Sequence, residues 1–578
     1  MTDYTPPLAD IRFVLWDMLQ LGEHALDRDL GDAILEEAGR FCADRIAPLN
    51  AVSDREGCTR YADGTVATPS GFREAYQAYC EAGWGTLALP EAYGGQDLPH
   101  VLASAIEELL NASCQGFMMY PGLTHGAVAA LLASGSDELK HAYLPKLVSG
   151  EWLGTMALTE PQAGTDLGLL RTRAVPRGDG SYAITGEKIF CSGGEHDLTD
   201  NIVHLVLARL PDAAAGTRGI SLFLVPKVLA DGALNAATCG AIEHKMGLKG
   251  SATCAMHFDG AIGWLIGEPH AGLAAMFVMM NAARLSCGNQ GLAQAELAYQ
   301  RAAAYALERR QGRAAGSTAE ADPLIVHPDV RRLLMDARAF TEGFRALVLW
   351  TAAQIDLSHR AEDAETRASA ETLVSLLTPV IKAWGTDRGF ETAVAMQQVF
   401  GGHGYIAEWG MEQIVRDARA AMLYEGANGV QALDLAARKV ARDGGQVAER
   451  FLALIEGECE VAPGELHELA APLREAVHEA REAALWLVTA GRENPDEVGA
   501  GAYPFLQLLG LVAVGWMWLR LAQAALPRAD EPFCAAKLAV ARHFILRHLP
   551  DVGALRRQAV AGAAGLMALP PEAFQPSG

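Results

Sequence analysis

Four separated segments contain the residue types that base-catalysed oxidation of a carbon acid requires. Residues 422–429, Met-Leu-Tyr-Glu-Gly-Ala-Asn-Gly, place the carboxylate of Glu425 next to a glycine. The other segments are Met-Ala-Leu-Thr-Glu-Pro-Gln-Ala-Gly-Thr-Asp at 156–166, Lys-Ile-Phe-Cys-Ser-Gly-Gly at 188–194 and Tyr-Ala-Leu-Glu-Arg-Arg-Gln-Gly-Arg at 305–313. A carboxylate can act as the base, but no side chain accepts a hydride, so such an oxidation needs a bound redox cofactor.

The first half of the chain changes from a helical to a strand pattern. In residues 1–153, apolar side chains recur at helical spacing around 30–46, 101–110 and 128–144, which predicts a helical N-terminal domain. Residues 154–271 contain short, partly alternating apolar runs separated by turn signals. These runs predict a compact β domain with strands near residues 182–190, 202–208, 219–225 and 253–258.

The second half has helical periodicity. In residues 272–442 a polar, proline-containing stretch at 312–328 interrupts the pattern, which predicts a bundle of long helices. Residues 443–578 predict a further helical domain, with helices near 447–456, 464–489, 503–526 and 533–549. Its most apolar run, residues 508–519, is shorter than the roughly 18 residues of a membrane span, so we expect a helix packed in the core and no integral membrane segment.

The charge, the cysteine pattern and the N-terminal sequence argue against nucleic-acid binding, a metal site and secretion. The chain has 578 residues, with 70 acidic and 47 basic side chains and a net charge of -23, which disfavours nucleic acid as a partner. The ten cysteines include no Cys-x-x-Cys pair and no Cys/His cluster at metal-ligand spacing. With no secretory pattern visible in residues 1–7, we predict reduced thiols, no metal site and a cytoplasmic location.

The order and spacing of the four segments resemble the acyl-CoA dehydrogenase family. The resemblance covers roughly residues 30–440 and implies a mostly helical fold: an N-terminal helical domain (1–153), a middle β-barrel (154–271) and a helical bundle (272–442). Residues 443–578 form an additional C-terminal helical domain. This extension, and the run Glu-His-Lys-Met-Gly-Leu-Lys-Gly-Ser-Ala-Thr at 243–253, are similar to a longer bacterial subgroup that includes 3-methylmercaptopropionyl-CoA dehydrogenases.

The resemblance implies FAD-dependent conversion of an acyl-CoA thioester to the trans-2-enoyl-CoA. Glu425 would abstract the α proton while the flavin takes the β hydride. The backbone N–H of Glu425 and a flavin ribityl hydroxyl would hold the thioester carbonyl oxygen. Arg284 and Gly426 match positions near the substrate thioester. Without that context, a Tyr-Glu-Gly triplet is an ordinary helix end, and Arg284 is an ordinary surface or helix-pairing residue.

Further positions match residues that bind FAD in the family. Four match the surroundings of the isoalloxazine ring, namely Leu158, Thr159, Phe190 and Ser192. Four match the region of the diphosphate, where the family's arginine reaches the cofactor of a neighbouring subunit, namely Arg309, Gln398, Gly401 and Gly402. The competing interpretation makes Thr159 a strand cap and Phe190 a core residue. Ala427, Gly429 and Gly312 depart from the common Thr, Gln and Phe of the family, which weakens the expected contacts to FAD.

The resemblance also implies partners. We expect an electron-transferring flavoprotein as electron acceptor, a role in the β-oxidation of fatty acids, and a homodimer whose subunits share the FAD site. An acyl-CoA oxidase, with the same base and flavin but oxygen as acceptor, is the alternative. A non-catalytic flavoprotein binding module of the same fold would be expected to have a basic C-terminal domain, whereas residues 456–479 are rich in glutamate.

Overall fold

A computed structural model describes residues 4–23 and 25–575. Contacts divide the chain into two compact units, residues 34–286 and residues 7–33 together with 287 onwards. The helices are α1 Leu8–Arg12, α2 Arg28–Phe41, α3 Leu49–Glu56, α4 Phe72–Glu81, α5 His100–Ser134, α6 Asp137–Ser149, α7 Gly272–Glu308, α8 Pro328–Arg360, α9 Ala364–Val399, α10 Met411–Ala421, α11 Asn428–Leu433, α12 Gln446–Glu460, α13 His467–Glu493, α14 Pro495–Ala525, α15 Pro532–Arg547 and α16 Asp551–Ala559. The strands are β1 Thr59–Arg60, β2 Val66–Ala67, β3 Trp152–Ala157, β4 Arg173–Pro176, β5 Tyr182–Ser192, β6 Asn201–Arg209, β7 Ile220–Pro226, β8 Ala237–Ile242 and β9 Thr253–Ile266.

Seven strands in residues 152–266 form one sheet that closes into a barrel. The strand order is β3-β6-β4-β5-β9-β7, β8 pairs with β9, and a further pairing of β6 with β7 completes the ring. β6 and β7 are buried along almost their whole length, and most of their residues are accordingly apolar. The predicted strands correspond to β5, β6, β7 and β9. The sequence pattern missed β3, β4 and β8, which are short and lack a clear alternation.

The N-terminal helices of this unit differ from their predicted bounds. The apolar run at 101–110 continues as α5 to Ser134, with one non-helical residue at Cys114. A single helix over 128–144 is wrong, because the backbone at Gly135 is extended and ends α5. The Ser136 hydroxyl then accepts a hydrogen bond from the N–H of Leu139 and caps α6.

In the other unit, α14 packs against α8 and α9 at two close approaches. A Cβ atom at Gly510 of α14 would lie 2.3 Å from Cγ of Trp384 on α9. A Cβ at Gly343 of α8 would lie 2.4 Å from Nε1 of Trp518 on α14. Both indole rings are buried. Glycine is therefore required at both contacts, because the opposing ring fills the space that any larger side chain needs.

The apolar run of α14 belongs to a helix longer than the sequence pattern indicated. Among the described residues, only Pro495–Arg528 is long and apolar enough to cross a membrane, and 94% of its most apolar window is buried inside the protein. The length argument against a span was therefore wrong, because residues before 508 extend the helix. Its burial is typical of a core helix and agrees with the expected packing.

Candidate active site

Glu425 lies in the turn that joins α10 to α11, and its backbone is left-handed. Its φ is +55°, and Gly426 follows with φ +86°. The left-handed region costs a residue with a Cβ about 1 kcal/mol or more and is enriched at functional sites. The Glu425 side chain is half-buried. The turn thus holds a partly accessible carboxylate in a conformation that the surrounding contacts must maintain.

Residues on both sides of Glu425 anchor the turn. The hydroxyl of Tyr424 donates a hydrogen bond to Oε1 of Gln290 on α7. The side-chain amide of Gln431 on α11 donates to the carbonyl oxygen of Glu425 at 3.1 Å. Since Gln290 and Gln431 are buried, solvent competes weakly for these bonds. The position of Glu425 is therefore tied to two helices.

A buried lysine holds the next part of the turn. Lys382 of α9 is fully buried, and its Nζ donates to the carbonyl oxygen of Gly426 and to Oδ1 of Asn428, both at 2.8 Å. The Asn428 amide in turn donates to Oδ1 of Asp387 at 2.6 Å. Sequence reasoning did not single out these three residues. The sequence signal was charge at Lys382 and Asp387 in a helix segment with many apolar residues.

The two segments expected near the isoalloxazine ring are adjacent in the barrel. The N–H of Ile189 donates to the carbonyl oxygen of Thr159 at 2.9 Å, and Nζ of Lys188 donates to that of Leu158 at 2.9 Å. An irregularity in β5 between Lys188 and Cys191 leaves Phe190 with φ +57° and 59% exposed. Phe190 is therefore no core residue. An exposed ring beside the half-buried Thr159 fits a planar heterocycle.

A buried ion pair supports this segment. Lys188, fully buried, bonds Oε1 of Glu160 at 2.9 Å. Glu160 also accepts hydrogen bonds from the N–H groups of Arg171 and Thr172 and from the Thr172 hydroxyl. Burial raises the pKa of Glu160, but the Lys188 cation and these donors outweigh it and lower the pKa to about 2. Glu160 and Lys188 lie in two of the segments that the sequence analysis identified, but their pairing was not predicted.

Ser192 and Arg284 lie in the same unit as this segment. Ser192 ends β5, where it is half-buried and pairs with Thr253 of β9. Arg284 lies on α7, half-buried, and its guanidinium donates to Oδ1 of Asn281 at 3.2 Å. The same guanidinium lies 5.9 Å from the centre of the Phe277 ring.

The residues expected near the FAD diphosphate are exposed and lie at the C-terminal ends of α7 and α9. Tyr305, in the last turn of α7, stacks on Phe400 at 4.2 Å between ring centres, and its hydroxyl lies 2.9 Å from Nδ1 of His403. These contacts connect the end of α7 to the segment after α9. The expected residues that flank these contacts in the sequence are Arg309, Gln398, Gly401 and Gly402. Gly401 has φ +57°, and a Cβ at either glycine would meet no atom within 4 Å, so their backbone is open to an anionic ligand.

One group of side chains in the described residues has potential metal-ligand atoms close together, namely Asp336, His543 and His548. Nε2 of His543 lies 2.7 Å from Oδ1 of Asp336, and Arg332 bonds the other carboxylate oxygen at 3.0 Å. Burial raises the pKa of Asp336, but its bonds with both histidines bring it well below the ordinary value. These contacts describe a hydrogen-bonded link between α8 and the C-terminal domain.

Comparison with known proteins places almost the whole chain in one family. The N-terminal, middle and C-terminal domains of acyl-CoA dehydrogenase match residues 30–151, 155–261 and 270–440. A domain described as acetyl-CoA dehydrogenase C-terminal like matches residues 451–570. Two solved structures share the fold. An acyl-CoA dehydrogenase from Bacillus anthracis, complexed with FAD, has a TM-score of 0.76 at 21% identity, covering 92% of this chain and 88% of that one. ACDH-11 of Caenorhabditis elegans, in complex with C11-CoA, has a TM-score of 0.78 at 20% identity, covering 94% and 92%.

Relatives of similar length match from end to end. A 3-methylmercaptopropionyl-CoA dehydrogenase of Ruegeria pomeroyi is 44% identical, over 95% of this chain and 97% of the relative. A butyryl-CoA dehydrogenase of Syntrophomonas wolfei is 33% identical over 99% of both chains. These matches include the C-terminal extension. The chain therefore belongs to the acyl-CoA dehydrogenase family, the FAD-dependent oxidoreductases that act on CH–CH groups.

Proposed function

We propose that this protein oxidises an acyl-CoA thioester to the trans-2-enoyl-CoA with Glu425 as the catalytic base. The observation that carries this proposal is the left-handed, half-buried Glu425, anchored by its neighbours Tyr424 and Gly426. A strained residue at a fixed position is expected where a carboxylate must meet a reacting atom. The names of the full-length relatives support the same chemistry.

Glu425 abstracts the α proton of the thioester. Its backbone N–H supports the negative charge that develops on the thioester carbonyl oxygen, which lowers the barrier to proton removal. Gly426 leaves this part of the turn without a side chain, and Arg284 is assigned to the substrate near the thioester. Because Lys382 and Gln431 hold the carbonyl oxygens on the same turn, the base keeps its orientation between turnovers.

Two groups of residues hold FAD, which supplies the hydride acceptor when bound. The barrel residues Leu158, Thr159, Phe190 and Ser192 would hold the ring system, and the exposed Phe190 side chain offers it an apolar surface. The exposed residues Arg309, Gln398, Gly401 and Gly402 bind the diphosphate of a cofactor in the partner subunit of a homodimer. The buried pair of Lys188 and Glu160 fixes the segment proposed to bind the ring.

The acyl group is a short chain with a thioether. This part of the proposal rests on the 44% identity to the 3-methylmercaptopropionyl-CoA dehydrogenase, against 33% for the butyryl-CoA dehydrogenase. Electrons pass to an electron-transferring flavoprotein, and the reaction belongs to the β-oxidation of acyl-CoA compounds in the cytoplasm. The relatives are named dehydrogenases, which favours this acceptor over oxygen.

A substrate panel tests the proposal. The purified yellow protein is mixed without oxygen with 3-(methylthio)propionyl-CoA, butyryl-CoA or a long-chain acyl-CoA, and flavin bleaching and enoyl-CoA formation are followed. We expect the fastest bleaching with the thioether substrate. Absence of bleaching with every acyl-CoA contradicts the proposed reaction. Stoichiometric peroxide in air identifies an oxidase instead, and light scattering that gives a monomer contradicts the shared FAD site.

A further inference from the structure

The helix α14 of the C-terminal domain reaches the catalytic turn through one buried carboxylate. Asp387 of α9 is only 3% exposed, and its two oxygens have different partners. Oδ1 accepts the 2.6 Å hydrogen bond from the Asn428 amide. Oδ2 accepts hydrogen bonds from the Tyr503 hydroxyl at 2.6 Å and from the Gln507 amide at 2.8 Å. Tyr503 and Gln507 are four residues apart on α14 and so lie on the same face of the helix.

We propose that Tyr503 and Gln507 are positioning residues for the base Glu425. Both side chains donate to Asp387, which accepts a hydrogen bond from the amide nitrogen of Asn428. The amide oxygen of Asn428 accepts a hydrogen bond from the Lys382 ammonium, and the same ammonium donates to the Gly426 carbonyl. This inference rests on the proposed role of Glu425. The C-terminal domain, which contains none of the four segments that resemble the family, would then contribute to the reaction.

The direction of the effect follows from the cost of leaving a carboxylate with too few donors. A buried ionised group requires hydrogen bonds to all its oxygens, and bonds to a charged group are the strongest of the kind. The Asn428 amide nitrogen also donates to the carbonyl oxygen of Ala383 at 3.1 Å and to Oγ1 of Thr386 at 3.0 Å. Without the two α14 donors, Oδ2 of Asp387 loses its partners, and we expect the carboxylate to reorient and weaken the 2.6 Å bond between its Oδ1 and Asn428. The turn then loses its fixed geometry, and catalytic rates respond strongly to small displacements of a base.

The Tyr503 hydroxyl remains protonated and can therefore keep donating its hydrogen bond to Asp387. Burial, followed by the hydrogen bond and the negative charge of Asp387, raises the pKa of Tyr503 above its ordinary value. The phenol therefore stays protonated, and Asp387 retains this partner across the range in which acyl-CoA substrates are stable.

A purely structural role of α14 predicts something different, and Trp518 provides the matched control. Its Nε1 donates a 2.9 Å hydrogen bond to the carbonyl oxygen of Ala339 on α8, so it also attaches α14 to the bundle. In the described part of the chain, Trp518 makes no hydrogen bond to Asp387 or Asn428. If attachment alone matters, loss of this bond and loss of the bonds to Asp387 have the same consequences.

The experiment compares the double variant Tyr503→Phe/Gln507→Leu with Trp518→Phe as FAD-loaded enzymes. For the double variant we expect about a tenfold lower kcat, KM within twofold, unchanged FAD content and faster amide exchange in residues 422–431. For Trp518→Phe we expect wild-type kcat and exchange in that segment, whatever its melting temperature. Tyr503→Phe alone, which keeps the Gln507 donor, is expected to lower kcat about threefold and serves if the double variant does not fold.

The inference is overturned if the double variant keeps wild-type kcat and exchange, or if Trp518→Phe changes both equally. Glu425→Gln, assayed in parallel, separates this failure from failure of the proposed function. Full turnover by Glu425→Gln removes the base assignment itself. An inactive Glu425→Gln together with an unaffected double variant removes only the positioning role. Amide exchange of residues 422–431 reports on the hydrogen bonds that hold this turn, whichever residue is the base.

Discussion

The ammonium of Lys382 donates a 2.8 Å hydrogen bond to the carbonyl oxygen of Gly426, the residue that follows Glu425. This bond joins a completely buried cation on α9 to the turn that bears the proposed base. Because the same ammonium also binds Asn428, one side chain fixes both ends of the second half of the turn. The geometry of the base thus depends on the bundle core.

Replacing Lys382 with methionine is expected to lower kcat about 100-fold, because the turn loses two hydrogen bonds at once. Unpaired buried acceptors also lower the free energy of unfolding by roughly 2 kcal/mol. Lys439→Met is the control, since Lys439 bonds Ser375 at 2.6 Å and does not contact the turn. Steady-state kinetics and thermal melting check both. A folded Lys382→Met enzyme with wild-type kcat contradicts the anchoring role.

Because Phe190 has a left-handed backbone, a glycine substitution at this position should change protein stability and FAD affinity in different directions. Phe190→Gly is expected to relieve backbone strain, leaving stability equal or higher by about 1 kcal/mol, while FAD affinity falls at least tenfold as the exposed ring is lost. Asp97→Gly, at another exposed residue with φ +48°, relieves similar strain and leaves FAD binding unchanged. Fluorescence titration of the apoprotein with FAD measures both variants. Equal FAD affinity in Phe190→Gly contradicts the assigned contact.

The pair of Lys188 and Glu160 is expected to matter most when only one member is removed. Lys188→Met leaves a buried carboxylate without its cation and is predicted to destabilise the protein by about 3–5 kcal/mol. The double variant Lys188→Met/Glu160→Gln is predicted to recover much of that loss. Denaturant unfolding of the three proteins checks this. A single variant as stable as the double would show that the ion pair carries no coupling.

Glu160 also predicts how stability changes in acid. Its pKa is about 2 in the folded protein against an ordinary value of 4.5, so the unfolded chain binds the proton first. The contribution to stability, roughly 3 kcal/mol, is complete above pH 4.5 and is lost as the pH falls toward 2. Unfolding of wild type and Glu160→Gln between pH 5 and pH 3 measures it. The difference between them should shrink with falling pH, and a constant difference contradicts the lowered pKa.

The motif residues were predictable because their segments are contiguous and each contains several matching types. Thr159 and Phe190 were placed in the barrel from such runs, and a hydrogen bond between Thr159 and Ile189 joins the two segments. Patterns of period 3.6 and period 2 predicted the helical regions and a compact β domain, whereas the barrel was expected from the family resemblance. The family assignment is confirmed by domain matches that cover most of the chain.

The supports of the site were not predictable from the sequence. Asp387 and Tyr503 are 116 residues apart, and their bond exists only because α14 packs on α9. No local pattern reports such a pairing. Helix bounds failed for a related reason: the break at Gly135 depends on one extended residue and one serine cap, which an apolar periodicity does not reveal.

The most direct test of the central claim is anaerobic reduction of Glu425→Gln. The variant is expected to fold, to bind FAD with the wild-type visible spectrum and to bind acyl-CoA, because Gln keeps the size and the backbone of the turn. Stopped-flow mixing with an acyl-CoA that bleaches the wild-type flavin should then give a rate at least 1,000-fold lower, since no group remains to take the α proton. Bleaching of Glu425→Gln at the wild-type rate would contradict the account.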